Sequence, residues 1–66
     1  MKFIICDVHE ASFFGHWERG IPFDVVVWTN KSGAARFDSK DAATAVLTLL
    51  VVRYPTRHFS IMTEGK

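Results

Sequence analysis

One segment, residues 38–54 (DSKDAATAVLTLLVVRY), most limits what this chain can fold into, because it alone has the clear pattern of a helix. Asp38 is predicted to be the N-cap, since its carboxylate can accept hydrogen bonds from the free amides of the first turn. Pro55 is predicted to end the helix, because the residue before a proline is pushed out of the α region. At about 100° per residue, one apolar stripe runs along the helix. Its members are Ala43, Val46, Leu47, Leu50 and Tyr54.

The predicted helix is more apolar than one buried face requires. Val51 and Val52 fall on or beside the polar side, and Leu49 flanks it. Exposed apolar patches often mark the places where small proteins contact other molecules. We therefore expect this helix to bury one face against a sheet and to offer apolar surface elsewhere.

Four segments are predicted to form strands from their apolar content and alternation. They are residues 2–8, 23–29, 34–37 and 57–63. The predicted succession is β-β-β-α-β, an α+β fold in a single domain (residues 1–66). Its four-stranded, mostly antiparallel sheet has the order 3-2-1-4, with the helix on one face. A right-handed crossover through the helix is expected to place the last strand parallel to the first.

Residues 9–22 have no clear period and contain two glycines and a proline, so they are predicted to form a long loop. Loops of this length in compact domains are usually functional or folded on themselves. Its aromatic residues are Phe13, Phe14 and Trp17. Two interpretations stay open: these rings cover the second face of the sheet as a lid, or they anchor a partner protein.

Length and charge exclude several classes of protein. A chain of 66 residues buries only about 60% of its unfolded surface, so its stability is marginal without help. Its single cysteine excludes a disulfide within the chain. A net charge of +1 predicts no strong attraction to nucleic acid or to anionic membranes. No apolar run approaches the roughly 20 residues that span a bilayer. A cytoplasmic protein is expected.

The residues capable of chemistry do not form a recognisable catalytic motif. Cys6 lies in an apolar strand and is predicted to be buried and inert. Asp7 and Asp24 are possible cross-strand neighbours, but nothing in their spacing enforces a shared site for acid–base catalysis. We therefore predict that the chain is not an enzyme and that it uses no cofactor.

Histidines and glutamates are concentrated in the predicted loop. His9, Glu10, His16 and Glu18 lie there, and His58 could approach from the last strand. A zinc site needs three or four converging ligands, and the spacing matches no common zinc motif. Solvated histidines and no metal site are predicted.

A second group of residues surrounds the predicted turn at 30–33. Trp28 and Arg36 flank this turn, with Lys31 at its tip. An aromatic ring beside two cations could stack on single-stranded nucleic acid. The alternative is cross-strand packing of the arginine on the tryptophan.

These observations favour a non-catalytic protein-binding module, an inhibitor or adaptor that occludes a surface of a larger partner protein or complex. The alternatives are a single-stranded nucleic-acid-binding module and a structural homodimer. The predicted partner-binding residues are Phe13, Phe14, Trp17, Arg19, Trp28, Arg36, Val51 and Val52.

In length, expected location and sheet-plus-helix layout, the chain resembles the small phage-encoded inhibitors of bacterial machinery, anti-CRISPR proteins among them. The resemblance covers the whole chain as a size class and involves no motif, so it transfers no functional residue. It implies a protein partner and, for a phage-encoded protein, the host cytoplasm.

Overall fold

A four-stranded antiparallel sheet with a helix packed against it makes up the computed structural model, which describes residues 1–20 and 24–64. A short 3-10 turn (Lys31–Gly33) precedes the helix α1 (Lys40–Arg53). The strands are β1 (Lys2–Asp7), β2 (Ser12–Glu18), β3 (Val25–Thr29) and β4 (Phe59–Glu64). They lie in the order β3-β2-β1-β4. The predicted α+β class, the β-β-β-α-β succession and the order 3-2-1-4 are confirmed.

The helix begins slightly later than predicted, and its cap is a different residue. The Ser39 hydroxyl accepts a hydrogen bond from the Ala42 amide at 3.1 Å, so Ser39 is the N-cap and the prediction of Asp38 was wrong. Asp38 instead forms an ion pair with Lys2. The hydrogen bond from the Lys2 ammonium holds the pKa of the Asp38 carboxyl below its usual value. The carboxylate is thereby directed to a stronger donor than a backbone amide.

The predicted apolar stripe of α1 is confirmed. Ala43 and Leu50 are fully buried, and the other three members of the stripe pack against the same cluster. The sheet contributes Ile5, Phe14 and Val26 to this core. The helix and the sheet thus bury their facing apolar surfaces in a two-layer structure.

The segment predicted as a long loop contains a strand, β2, so that prediction was wrong. β1 and β2 form a hairpin closed by a turn at residues 8–11. The Asp7 carboxylate accepts hydrogen bonds from the amides of His9 (3.1 Å) and Glu10 (3.2 Å). Ala11 closes the turn in the left-handed region, at φ 55°. That position usually holds glycine or asparagine, so the sequence lacks the common turn signal.

A bulge explains why β2 shows no alternation in the sequence. The register with β3 shifts between Phe14 and His16, at Gly15. As a result, Phe14 and Trp17 face the helix although they are three residues apart. A Cβ atom at Gly15 would lie 2.8 Å from the Val27 carbonyl oxygen, so only glycine fits without a shift of the backbone.

The segment predicted as the third strand forms only a bridge between Phe37 and Phe3, so that strand was also wrongly placed. It lies where β1 and β2 diverge, and the Ala35 amide donates to the Phe14 carbonyl at 2.9 Å. The third strand of the sheet is instead β3, within the predicted segment 23–29. Residues 21–23 and 65–66 of the predicted loop, second strand and tail lie outside the described residues.

The last strand runs antiparallel to β1, and the expectation of a parallel pair was wrong. Six residue pairs join β4 to β1, from Lys2↔Glu64 to Asp7↔Phe59. The bridge at Phe37 is antiparallel to β1. The crossover through α1 therefore links the segment at Phe37 to β4. These two segments lie on either side of β1 and run in the same direction, so both are antiparallel to β1.

An ion pair joins the first hairpin to the start of β4. Asp7 is fully buried, and its Oδ2 atom lies 2.8 Å from Nη1 of Arg57. The Arg57 guanidinium also lies over the Trp28 ring, 4.6 Å from its centroid, and the Trp28 ring stacks on Phe59 at 5.7 Å. Asp7 therefore satisfies two amides of the turn and one cation, which together connect β1, β3 and β4.

We predict that Asp7→Ala severely destabilises the protein, because it leaves two amides and Arg57 without their acceptor. Removing one partner of a buried ion pair costs about 3–5 kcal/mol. A domain of this length has a total stability of roughly 3–10 kcal/mol. Asp7→Asn keeps a carbonyl acceptor for the amides and should lose less. Urea unfolding followed by circular dichroism measures both losses. The exposed Glu10→Ala serves as the control, and an Asp7→Ala variant as stable as the wild type contradicts the prediction.

Ala11→Gly is expected to stabilise the protein by about 1 kcal/mol, because a residue with a Cβ pays roughly that amount in the left-handed region. The matched control is Ala45→Gly, at an exposed position in α1, where glycine should cost about 1 kcal/mol. The same urea titration distinguishes the two. A loss of stability in both variants would show that Ala11 is not strained.

Candidate functional site

An open depression lies between the end of β2 and the second half of α1. Its volume is about 380 Å³. The lining residues are Trp17, Asp24, Leu49, Val52 and Arg53. The depression thus combines a ring from the hairpin with apolar side chains on the outer part of the helix.

Trp17 forms one wall of this depression and is held in place by its neighbours. The bulge at Gly15 turns Trp17 to the helix side, where its ring meets the edge of Phe14 at a centroid distance of 5.8 Å. The Arg53 guanidinium lies over the Trp17 ring, 5.6 Å from its centroid. The ring is half-buried. Trp17 therefore presents a fixed aromatic surface, which loses little side-chain entropy when a partner covers it.

The apolar surplus of α1 lies in the open, as predicted. Leu49 is 58% exposed, Val51 49% and Val52 76%. Leu49 and Val52 are three residues apart, so they lie side by side on the helix and both line the depression. Complete burial of two such side chains contributes on the order of 3 kcal/mol or more.

The charged residues of the depression have different roles. Arg53 donates a hydrogen bond to the Asp24 carbonyl and contacts Trp17, so its charge is partly used within the chain. The Asp24 side chain is exposed and has no hydrogen bond or ion pair to the described residues. It leaves a negative charge at the rim.

Asp7 and Asp24, which the sequence left as possible cross-strand neighbours, are not brought together in the structure. Asp7 ends β1, whereas Asp24 precedes β3, and β2 lies between these strands. The two carboxylates therefore form no acid–base pair.

The aromatic residues predicted for partner binding are divided between the two faces of the sheet. Phe14 is 4% exposed and stacks on Phe37, so it belongs to the core. Phe13 pairs with Cys6 on the face opposite the helix and is half-buried. Arg19 is exposed immediately after β2. Of the three rings in this segment, Trp17 is the one that lines the depression, together with Val52.

The proposed constellation of Trp28, Arg36 and Lys31 does not share one face. Trp28 faces the helix and is covered by Phe59 and Arg57. Arg36 donates to the Glu64 carboxylate, with Nε at 2.5 Å, and to backbone carbonyls including that of Lys31. Trp28 and Arg36 therefore do not form a joint site, because Glu64, the partner of Arg36, pairs with Lys2 on the sheet face away from the helix.

Sequence analysis missed Asp24 and Arg53 as members of the site and mentioned Leu49 only as a flank of the helix. The spacing of Leu49 and Val52 was a usable signal, because residues three apart on a helix lie together. The contact between Arg53 and the Asp24 carbonyl joins residues 29 positions apart, so no local sequence pattern predicts it.

Within residues 1–20 and 24–64, no group of three or more His, Cys, Asp and Glu side chains could hold a metal ion. In the same part of the chain, α1 is too short to cross a bilayer and no other helix could do so. Comparison with known proteins adds no family: no family model, curated protein or solved structure matches this chain.

Cys6 is half-buried on the open face of the sheet, so the prediction of full burial was wrong. The helix covers only one face of the sheet, and Cys6 lies on the other face. Burial raises the pKa of the thiol, and the negative charge of Asp7 raises it further.

We predict that the Cys6 thiol reacts slowly with a thiol-specific reagent in the native protein at pH 7. Because its pKa is raised, little of it is thiolate, the reactive form. Labelling followed by mass spectrometry should show a marked rise in rate when the protein is unfolded in urea. Equal rates in the native and unfolded protein contradict the prediction.

Proposed function

We propose that this chain is a non-catalytic protein-binding module, an inhibitor or adaptor that occludes a surface of a larger partner. The observation that supports this most is the depression in which Trp17 stands beside Leu49 and Val52. It is called the Trp17 surface below. An aromatic ring in a fixed position next to exposed aliphatic side chains is typical of interface hot spots.

The charges of the Trp17 surface favour a partner of particular chemistry. Its apolar part suits an apolar side chain of the partner, inserted between Trp17 and the helix. The exposed Asp24 carboxylate at the rim favours a lysine or arginine near that side chain. The proposed partner is therefore a protein that presents an apolar residue flanked by a basic one.

The biological role that we propose is inhibition of bacterial machinery by a phage-encoded protein, of which anti-CRISPR proteins are one type. The support for this role is the size of the chain and its layout of one sheet and one helix. A small domain with an exposed apolar surface can block a functional site on a larger protein without any chemistry of its own.

A homodimer is the second candidate, and one observation favours it. Asp24 and Arg53 carry opposite charges at the same depression, so two copies related by a two-fold axis could place each near its counterpart. Light scattering at micromolar concentration tests this directly, since a monomer mass excludes self-association through the Trp17 surface at that concentration.

We expect Trp17→Ala and Val52→Lys to weaken binding to the partner, by about 2 kcal/mol or more for Trp17→Ala. Val52→Lys should leave the fold intact, because the position is mostly exposed. Partners captured from a bacterial lysate are first identified by mass spectrometry. Affinities of the purified pair are then measured by calorimetry, with circular dichroism to confirm that each variant is folded.

Met62→Lys is the matched control, because Met62 is exposed on the sheet face opposite the helix. Its affinity should equal that of the wild type. Unchanged affinity in both Trp17→Ala and Val52→Lys would exclude the Trp17 surface as the binding site. Two other results would instead support the nucleic-acid alternative: a steep loss of wild-type affinity between 50 and 200 mM salt, and a large loss of affinity in Arg36→Ala.

A further inference from the structure

Two of the three histidines lie side by side, although they are 49 positions apart in the sequence. The ring centroids of His9 and His58 are 4.7 Å apart, and their planes are inclined at 61°. Both residues are exposed. His16, the third, lies on β2 near Glu18, with 3.8 Å between Nε2 and the carboxylate. The first pair is therefore accessible to a ligand from solvent.

The backbone on both sides of this pair is held in place. The Val8 amide donates to the His58 carbonyl at 2.9 Å, which extends the pairing of β1 with β4 by one residue. The amides of His9 and Glu10 donate to the Asp7 carboxylate. The two imidazoles are therefore carried by a fixed turn and a fixed strand end.

The charges around the pair do not oppose a cation. Arg57, next to His58 in the chain, directs its guanidinium to Asp7 and to the Trp28 ring on the helix side. Its positive charge is thus neutralised by a buried carboxylate. Glu10, in the same turn as His9, adds an exposed negative charge nearby.

The separation of the rings fits shared coordination of one metal ion. A metal bound to imidazole nitrogens at about 2.0–2.1 Å places the two ring centroids about 4.5 Å apart for a 90° angle and about 5.2 Å apart for a tetrahedral angle. The observed 4.7 Å lies between these values. Imidazole is a ligand suited to zinc, copper and nickel.

We propose that His9 and His58 form a two-histidine site for a divalent transition-metal ion. No third His, Cys, Asp or Glu among the described residues completes the site, so water or another molecule fills the remaining positions. Among first-row metals, copper should bind most tightly and zinc or nickel less so. The proposal is independent of the Trp17 surface, because it concerns the other end of β2.

Such an ion connects the β1–β2 turn to the start of β4. This is the junction that the Asp7–Arg57 pair connects on the helix side. A ligand that binds only the folded state raises its stability, and small domains commonly use a metal for this purpose. Metal binding should therefore raise the unfolding temperature of the protein.

The test is a titration with Zn²⁺ alone, at pH 7.5 and with protein that carries no polyhistidine tag. Calorimetry gives the affinity, and thermal unfolding with and without Zn²⁺ gives the stabilisation. The proteins compared are the wild type, His9→Ala, His58→Ala and His16→Ala. Wild type and His16→Ala should bind one ion and melt at a higher temperature with Zn²⁺. Each of the other two should bind at least about tenfold more weakly, with no shift in melting temperature.

Several results would overturn the proposal. They are the absence of Zn²⁺ binding by the wild type, equal loss in all three variants, or loss in His16→Ala alone. The titration is repeated in a Cys6→Ser background, because a thiolate is also a zinc ligand. Retained binding there supports the histidine pair, whereas its loss assigns the ion to Cys6 and overturns the proposal. His58→Gln replaces His58→Ala where circular dichroism shows that the alanine variant is unfolded.

Discussion

The buried carboxylate of Asp7 connects the first hairpin to the start of the last strand. It accepts two amides of the β1–β2 turn and pairs with Arg57, which in turn lies over Trp28. A buried ion pair contributes little net stability when its desolvation is counted, but it strongly disfavours arrangements that leave one partner alone. Few apolar side chains are fully buried among the described residues, so the contacts of Asp7 are a large part of what connects these strand ends.

The sheet is covered by the helix on one face, and this determines where the exposed apolar surface lies. Helix α1 and the rings of Phe14, Trp17 and Trp28 fill the space on one side, and the bulge at Gly15 places Trp17 at the border of that layer. The helix then extends its outer apolar residues, Leu49 and Val52, beside the ring. The same geometry that completes the core therefore creates an apolar surface at its margin.

The two proposed sites lie at opposite ends of β2 and depend on different physics. The Trp17 surface depends on the removal of apolar side chains from water, which requires a large partner. The His9–His58 pair depends on two nitrogen donors held at a suitable separation, which suits a single ion. Each can therefore be removed by substitution without touching the other.

The helix, its buried stripe and its exposed Val51 and Val52 could be predicted from the sequence, because they follow from a period of 3.6 residues within one segment. The sequence also determined the α+β class, and the predicted order 3-2-1-4 is that of the structure, although β2 takes the place of the strand expected at 34–37. Tertiary structure alone decided the hairpin of β1 and β2, since Ala11 occupies the turn position where glycine is expected and the bulge at Gly15 removes the alternation. The proximity of Trp17 to Val52 and of His9 to His58 also came only from the tertiary structure. Contacts between residues far apart in the chain leave no periodic signal in the sequence.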